Sequence, residues 1–246
     1  MTNGSSSDRF FIGWDVGGWN CDRNKKSRDA IVILNSRLSN IGKPWRGNLR
    51  TVINESADTR AFLQKLFTLC ASHYPDPTQV TLAIDTPLGF SDQFVALVTG
   101  YRHTEPLEHS GANPYLFRQT ERYLFERGLR PLSAVKDMIG SQATKGMHVL
   151  AKFAPRTECC GIWSDGQLLT AIEAYPAACK SSRILLELAK RFATFGHEDK
   201  DDALTCALMA YLLGEKREIL LAPDQNVPLG EGWIGLPNDA VQDKSL

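Results

Sequence analysis

Short apolar runs along this chain alternate with segments of helical periodicity. Phe10–Val16 is an aromatic and β-branched run that ends at Gly17 and Gly18, and Arg28–Leu34 and Thr51–Asn54 are two further runs of this type. Apolar runs bounded by turn residues predict β-strands. Because only loop residues separate the first two runs, we expect the three strands to form an antiparallel meander.

Helices and strands are predicted to alternate in the rest of the chain. Apolar positions between Asp58 and about His73 recur with a helical period, which predicts a helix capped by Asp58. Val80–Asp85 is almost wholly apolar up to its last residue, as in a central parallel strand that is covered on both faces. The remaining predictions are a strand over Leu168–Ala174, a helix from Pro176 through Arg191 and a last helix from about Asp199, as its N-cap, to Leu213.

The pattern predicts one α/β domain with a central mixed sheet flanked by helices. Residues 1–9 are expected to form a disordered tail, residues 10–246 the domain, and residues from about 214 a C-terminal extension. An irregular stretch from about 101 to 156 is predicted to be an insertion with helices in Pro114–Arg127 and Val135–Leu150. A length of 246 residues with 43% hydrophobic residues suits one domain that buries a core.

The composition and charge of the chain argue against several classes of protein. The formal net charge is +0, which argues against a protein that coats nucleic acid by bulk electrostatics. The polar start does not resemble a signal peptide, and no apolar run is long enough to span a membrane, so we expect a cytoplasmic protein without a membrane partner. The 6 cysteines show neither a paired zinc spacing nor a disulfide framework, and we expect them to be reduced thiols.

Acidic residues stand at the ends of the predicted strands. Asp15 and Asp85 each end an apolar strand just before a turn, and ligands of open α/β sheets bind at that edge. Asp202 lies in the first turn of a helix that is apolar almost all round, so it is expected to point into the interior or a cleft. Glu173 ends the strand before Pro176. Each acid also has a purely structural interpretation: a turn aspartate, a residue that offsets the helix dipole, or, for Glu173, a salt bridge to the insertion.

Carboxylates gathered at one edge suit a metal site. Oxygen-only clusters favour Mg²⁺ or Mn²⁺ over zinc. Two such ions can activate water and stabilise the leaving oxygen when a phosphodiester is cleaved. No serine-nucleophile motif and no nucleotide-binding P-loop competes with this interpretation.

Several motifs resemble one family. Gly13-Trp14-Asp15, Ile84–Gly89, Ile172–Pro176, Asp201–Ala207 and Glu231–Ile234 occur in this order and are similar to motifs of domain of unknown function 429, a family of predicted ribonuclease H-like nucleases. The resemblance implies a ribonuclease H-like fold with a five-stranded sheet whose first three strands are antiparallel. It also implies that Asp15, Asp85 and Asp202 bind metal, with Glu173 as a fourth acid.

The insertion carries an excess of basic residues interleaved with aromatic ones. Arg118 and Arg122 are four residues apart, so they would share one helix face and could bind phosphate. The alternative is an ordinary amphipathic helix with Arg–Glu pairs. We expect these two arginines to contact a nucleic acid or nucleotide substrate, and the resemblance supports this expectation.

Two other functions stay open. An actin-like or sugar-kinase-like phosphotransferase would use Gly13–Gly18 as a phosphate-binding hairpin, although the sequence has no second glycine-rich phosphate loop. A non-catalytic protein that binds nucleotide or nucleic acid would keep the fold and tolerate replacement of Asp15 or Asp85.

Overall fold

The apolar runs of the sequence form one mixed β-sheet, which the amphipathic segments cover on both faces. The computed structural model describes residues 9–107 and 109–241. Its strands are β1 (Phe10–Asp15), β2 (Asp29–Asn35), β3 (Trp45–Gly47), β4 (Val80–Asp85), β5 (Arg156–Cys159), β6 (Ile162–Ser164), β7 (Leu169–Ala174) and β8 (Ile234–Gly235). Its α-helices are α1 (Arg50–Glu55), α2 (Thr59–Leu69), α3 (Asp92–Gly100), α4 (Gln119–Glu126), α5 (Gly140–Phe153), α6 (Pro176–Cys179), α7 (Arg183–Ala189) and α8 (Glu198–Glu215).

The strand order in the sheet is β3-β2-β1-β4-β7-β6-β5, with β8 beside β7. β1, β2 and β3 are antiparallel neighbours, whereas β1, β4 and β7 run parallel. The prediction of an α/β domain with a mixed sheet is therefore confirmed. Within the described ranges the sheet has 8 strands, against the five that the resemblance implies. The additional strands β5 and β6 follow the predicted insertion, and β8 lies in the predicted C-terminal extension.

The prediction of a strand over Thr51–Asn54 is wrong. These residues belong to α1, and the third strand of the meander is Trp45–Gly47. Ile53 of α1 is buried, and its carbonyl accepts a hydrogen bond of 2.8 Å from Lys152 Nζ of α5. The tertiary contacts of a short helix thus override the β-propensity of this sequence.

Two other helices differ from their predicted forms. The helix predicted from Pro176 to Arg191 is divided into α6 and α7, because the Ser182 side chain accepts a hydrogen bond from Leu185 N and caps a new helix. The N-cap of α8 is His197 and not Asp199. Asp199 Oδ2 instead accepts hydrogen bonds from Arg46 Nε at 2.7 Å and from Arg28 N at 3.1 Å.

The region between β4 and β5 is helical. It contains α4 and α5, close to their predicted ranges, and also α3, which no periodicity predicted. The hairpin of β5 and β6 was missed too, because β5 is polar and mostly exposed. The predicted tail lies outside the described residues except for Arg9, whose side chain donates to Gly214 O.

Alternate residues of the central strands enter two hydrophobic cores. Ile12 and Trp14 pack with α2 and α5 on one face, while Phe11 packs with α8 on the other. All 6 cysteines are free thiols, as predicted. In the described ranges, no helix is both long and apolar enough to cross a membrane.

Candidate carboxylate site

Asp15 and Asp85 lie side by side at one edge of the sheet. Each is the last residue of its strand, and the two are directly paired in the register of the parallel strands β1 and β4. Neighbouring strands are about 4.8 Å apart. Both carboxylates line a cleft of about 170 Å³, called here the carboxylate cleft, whose other walls include Thr86, Gln142 and Tyr175.

Helix α8 brings a third acid to this edge. An added Cβ at Gly13 of β1 would lie 1.9 Å from Ala203 O and 2.3 Å from Ala207 N, so only glycine lets α8 approach β1 this closely. This approach sets the start of α8 beside the strand ends. The prediction that Asp202 lies in the first turn of this helix is wrong, because α8 begins at Glu198 and Asp202 is its fifth residue. Negative charge on Asp202 raises the pKa of both Asp15 and Asp85.

The cluster carries more negative charge than its surroundings neutralise. Burial, followed by the neighbouring Asp85, raises the pKa of Asp15 to about 9. Burial, followed by Asp202 and Glu173, raises the pKa of Asp85 to about 8, although Lys180 opposes the shift. Burial also raises the pKa of Asp202, again against Lys180. Such shifts mean that a proton or a cation stabilises the folded site.

Thr86 adds an unused polar group to the cleft. Its side chain is only 4% exposed, and its Oγ1 has no hydrogen-bond partner among the residues that the structure describes. A buried hydroxyl without a partner costs about 1–3 kcal/mol. Because Oγ1 is inaccessible to solvent, this cost is removed only where a ligand oxygen or a water molecule gains access to it.

Glu173, which lines the cleft, forms a buried ion pair with Arg118. Arg118 Nη2 donates to Glu173 Oε1 at 2.6 Å and Nη1 donates to Oε2 at 2.8 Å, and Nε donates to Glu121 Oε1 at 2.8 Å. Glu173 Oε2 also accepts from Leu88 N at 2.8 Å. Arg118 is therefore held inside the protein, and we assign it a positioning role in place of the predicted contact with substrate. For Glu173 the structure matches the alternative of a salt bridge to the insertion.

Arg122 is placed differently from Arg118. It lines a groove of about 1090 Å³ on the insertion, and its Nε has no hydrogen-bond partner among the described residues. Of the two arginines selected from the sequence, Arg122 is the one that faces a cavity.

A second buried pair, Asp29 with Lys145, supports the loop after β1. Lys145 Nζ donates to Asp29 Oδ2 at 2.5 Å and to Gly17 O at 3.1 Å, and both side chains are fully buried. Asp29 Oδ1 accepts from Gly17 N and from Trp14 Nε1, each at 3.0 Å. Sequence reasoning missed this pair, because Lys145 was only one of many basic residues in the insertion.

The donors of the cleft suit a hard divalent cation, since they are oxygen atoms of carboxylates and a hydroxyl. Among residues 9–107 and 109–241, however, no group of three or more His, Cys, Asp or Glu side chains is arranged to hold a metal ion. Asp202 Oδ1 is instead 3.6 Å from Lys180 Nζ, in a pair whose lysine side chain is 62% exposed. Exposed pairs are worth about 0–1 kcal/mol, so this pair holds Asp202 only weakly.

No protein-family model matches the chain, and neither a curated protein nor a solved structure matches it at a significant level. The resemblance to domain of unknown function 429 therefore stays a prediction that rests on the motifs quoted above.

Proposed function

We propose that this chain is a divalent-metal-dependent phosphodiester hydrolase, a nuclease, with a ribonuclease H-like core. Asp15, Asp85 and Asp202 would hold Mg²⁺ or Mn²⁺. The observation that carries the proposal is the direct pairing of Asp15 with Asp85 at the ends of parallel strands, where the pKa values of both are raised to about 9 and about 8. Acidic side chains in this state bind a cation in exchange for protons.

The strand arrangement supports the ribonuclease H-like part of the proposal. The resemblance implies that the first three strands are antiparallel, and β1, β2 and β3 are arranged in this way. β4 and β7 then continue the sheet in parallel with β1. The proposed core comprises these five strands, and β5, β6 and β8 are additions to it.

Each residue of the site has a defined task in this proposal. A bound divalent cation would supply activation of water and stabilisation of the leaving oxygen. Asp15, Asp85 and Asp202 would bind and orient this cation. The Thr86 hydroxyl would form a hydrogen bond with a ligand oxygen. Glu173 also lines the cleft, but both of its carboxylate oxygens already accept hydrogen bonds from Arg118, so we assign it a positioning role. Through its bond to Leu88 N it fixes the loop that carries Thr86.

The phosphotransferase alternative has less support. A phosphate-binding hairpin needs free backbone N–H groups, yet Gly17 N donates to Asp29 Oδ1 at 3.0 Å and Trp19 N donates to Ser141 Oγ at 3.0 Å. Lys145 holds the carbonyl groups of Gly17 and Gly18. The turn after β1 is thus occupied by contacts within the protein.

The test begins with thermal unfolding in EDTA, Mg²⁺ or Mn²⁺. A ligand that binds only the folded protein raises its melting temperature. We expect Mn²⁺ to raise the melting temperature of the wild type and of Asp92→Asn, an exposed aspartate outside the cleft, but not of Asp85→Asn. Single-stranded DNA, RNA, duplex DNA, an RNA–DNA hybrid and bis(p-nitrophenyl) phosphate are then assayed for cleavage.

Cleavage of any of these phosphodiesters that needs the metal and disappears in Asp85→Asn would support the proposal. A folded protein that cleaves none of them, with or without metal, would leave the non-catalytic binding protein as the better interpretation. Stabilisation by ATP with Mg²⁺ in place of any cleavage would favour the phosphotransferase.

A further inference from the structure

The groove on the insertion adjoins the carboxylate cleft. This insertion groove is defined by Arg122, Tyr123, Arg130, Leu132, Lys136 and Asp137. Pro131 and Leu132 line both cavities, and Leu132 is 53% exposed. A ligand that passes across Leu132 can therefore lie in the cleft and in the groove at the same time.

The wall between the two cavities is fixed to the site. Tyr175 follows β7, lines the carboxylate cleft and donates from its hydroxyl to Arg130 O at 2.8 Å. Arg118, one turn before Arg122, ties the start of α4 to Glu173 beneath the cleft. These hydrogen bonds fix the position of the groove relative to the carboxylates. A site that binds one extended ligand across both cavities requires such a fixed position.

The charges of the groove favour an anionic ligand. The acids that line it are already paired: Asp137 Oδ1 lies 2.7 Å from Lys136 Nζ, and Glu126 Oε2 lies 3.6 Å from Arg127 Nη1. Arg122 and Arg130 have no carboxylate within ion-pair distance in the part of the chain that the structure describes. The uncompensated charge of the groove is thus positive.

Arg122 presents its guanidinium to this groove. The residue lines the groove and is only partly buried, although its Nε is inaccessible to solvent and has no hydrogen-bond partner among the described residues. A guanidinium binds two oxygens of one phosphate through parallel hydrogen bonds. Because Nε is out of reach of a ligand, a phosphate in the groove would bind the terminal Nη groups.

We propose that the insertion groove binds the phosphodiester chain next to the bond that is cleaved, with Arg122 on one of its phosphates. The inference rests on the proposed function and sharpens it: the substrate is a polynucleotide and not a mononucleotide or a small diester. The groove holds flanking nucleotides, and the carboxylate cleft holds the reacting phosphate.

Binding can be measured without catalysis. Fluorescence anisotropy in EDTA follows a labelled single-stranded oligonucleotide of twelve residues, as DNA and as RNA, at several salt concentrations. We expect Arg122→Ala to weaken binding about tenfold and to reduce the salt dependence by about one phosphate contact, because each neutralised phosphate contributes about 0.7 to the slope for single strands. Arg122→Lys retains the charge and is expected to lie between Arg122→Ala and the wild type.

Arg37→Ala is the matched control. Arg37 is exposed and follows β2 at the opposite edge of the sheet, where Asn35 pairs with Phe10 at the start of β1. It is expected to bind like the wild type. Thermal unfolding of each variant shows whether it is folded.

Equal affinities and equal salt slopes for the wild type, Arg122→Ala and Arg37→Ala would overturn the inference. So would poly-glutamate that competes as strongly as the oligonucleotide, because the groove would then recognise acidic polymers in general. The proposed function is tested separately. If the protein cleaves bis(p-nitrophenyl) phosphate with metal but Arg122→Ala does not change oligonucleotide binding, the proposed hydrolase activity is supported and the proposed role of the insertion groove is wrong.

Discussion

Asp15 of β1 and Asp85 of β4 are directly paired and buried, and further carboxylates lie near each of them. Two acids in adjacent parallel strands cannot both ionise without a compensating charge. The pairing therefore makes the site a proton or cation acceptor, and it links the stability of the fold to the chemistry that we propose.

Replacing Asp85 by Asn should stabilise the metal-free protein at pH 8. The change removes a buried acid whose pKa is raised to about 8, together with its repulsion of Asp15. We expect a gain of at least about 1 kcal/mol, which is about 2–4 °C in melting temperature for a domain of this size. Differential scanning fluorimetry in EDTA measures it. Asp92→Asn is the control, and a lower melting temperature for Asp85→Asn alone would contradict the prediction.

The metal-free protein should lose stability as the pH rises from 6 to 9. The pKa values of Asp15 and Asp85 are raised from 3.8 to about 9 and about 8, so the folded chain binds more protons than the unfolded chain in this range. Their contribution is present in full below the unfolded pKa and is lost as the pH rises through the folded values.

Saturating Mg²⁺ should reverse this trend in part, because metal binds the deprotonated carboxylates. The difference in melting temperature between Mg²⁺ and EDTA is expected to increase from pH 6 to pH 9 in the wild type. In the double variant Asp15→Asn with Asp85→Asn it should be close to zero at every pH. A constant difference in the wild type would argue against cation binding at this pair.

Glu173→Gln separates a positioning role from a ligand role. The buried Glu173 carboxylate pairs with Arg118, and removal of one partner from such a pair costs about 3–5 kcal/mol. We expect urea denaturation to show a loss of this order. The Mg²⁺-dependent rise in melting temperature should remain, since Asp15, Asp85 and Asp202 are unchanged. If a folded Glu173→Gln variant loses stability and also loses the Mg²⁺-dependent rise in melting temperature, Glu173 binds the cation itself.

Lys145→Met should destabilise the fold for a similar reason, because it leaves the Asp29 carboxylate buried without its ammonium partner. A loss of about 3–5 kcal/mol in urea denaturation is expected. Adding Asp29→Asn to Lys145→Met should recover part of this loss, as it removes the unpaired charge. If the double variant is less stable than Lys145→Met, the hydrogen bonds of Asp29 to Trp14, Gly17 and Leu49 outweigh its charge.

The sequence was sufficient to place Asp15 and Asp85 together, because both end apolar strands and parallel strands end at one edge. It could not reveal that Lys145 pairs with Asp29, since 116 residues separate them and only the packing of α5 on the sheet brings them into contact. The sequence also could not distinguish the burial of Arg118 from that of Arg122. Which of the two is buried depends on Glu173 and Glu231, which are distant in sequence.

Secondary structure failed where local preference and tertiary contacts disagree. Thr51–Asn54 has the composition of a strand, yet it forms a helix because Ile53 is buried and its carbonyl is bound by Lys152. The hairpin of β5 and β6 has no apolar alternation in β5, and its pairing with β7 determines its conformation.

Gly13→Ala should separate α8 from β1 and weaken the site. The added Cβ would lie 1.9 Å from Ala203 O, so the helix or the strand must shift. Overpacking of this kind costs about 1–3 kcal/mol or more. Because Asp202 lies near the start of α8, one residue before Ala203, the shift moves it away from Asp15 and Asp85, and the rise in melting temperature with Mg²⁺ should decrease with it. Gly140→Ala is the matched control, since a Cβ there has nothing within 4 Å and α5 gains a better helix former. Equal responses to Mg²⁺ in a folded Gly13→Ala variant and in Gly140→Ala would mean that Asp202 does not take part in binding the cation.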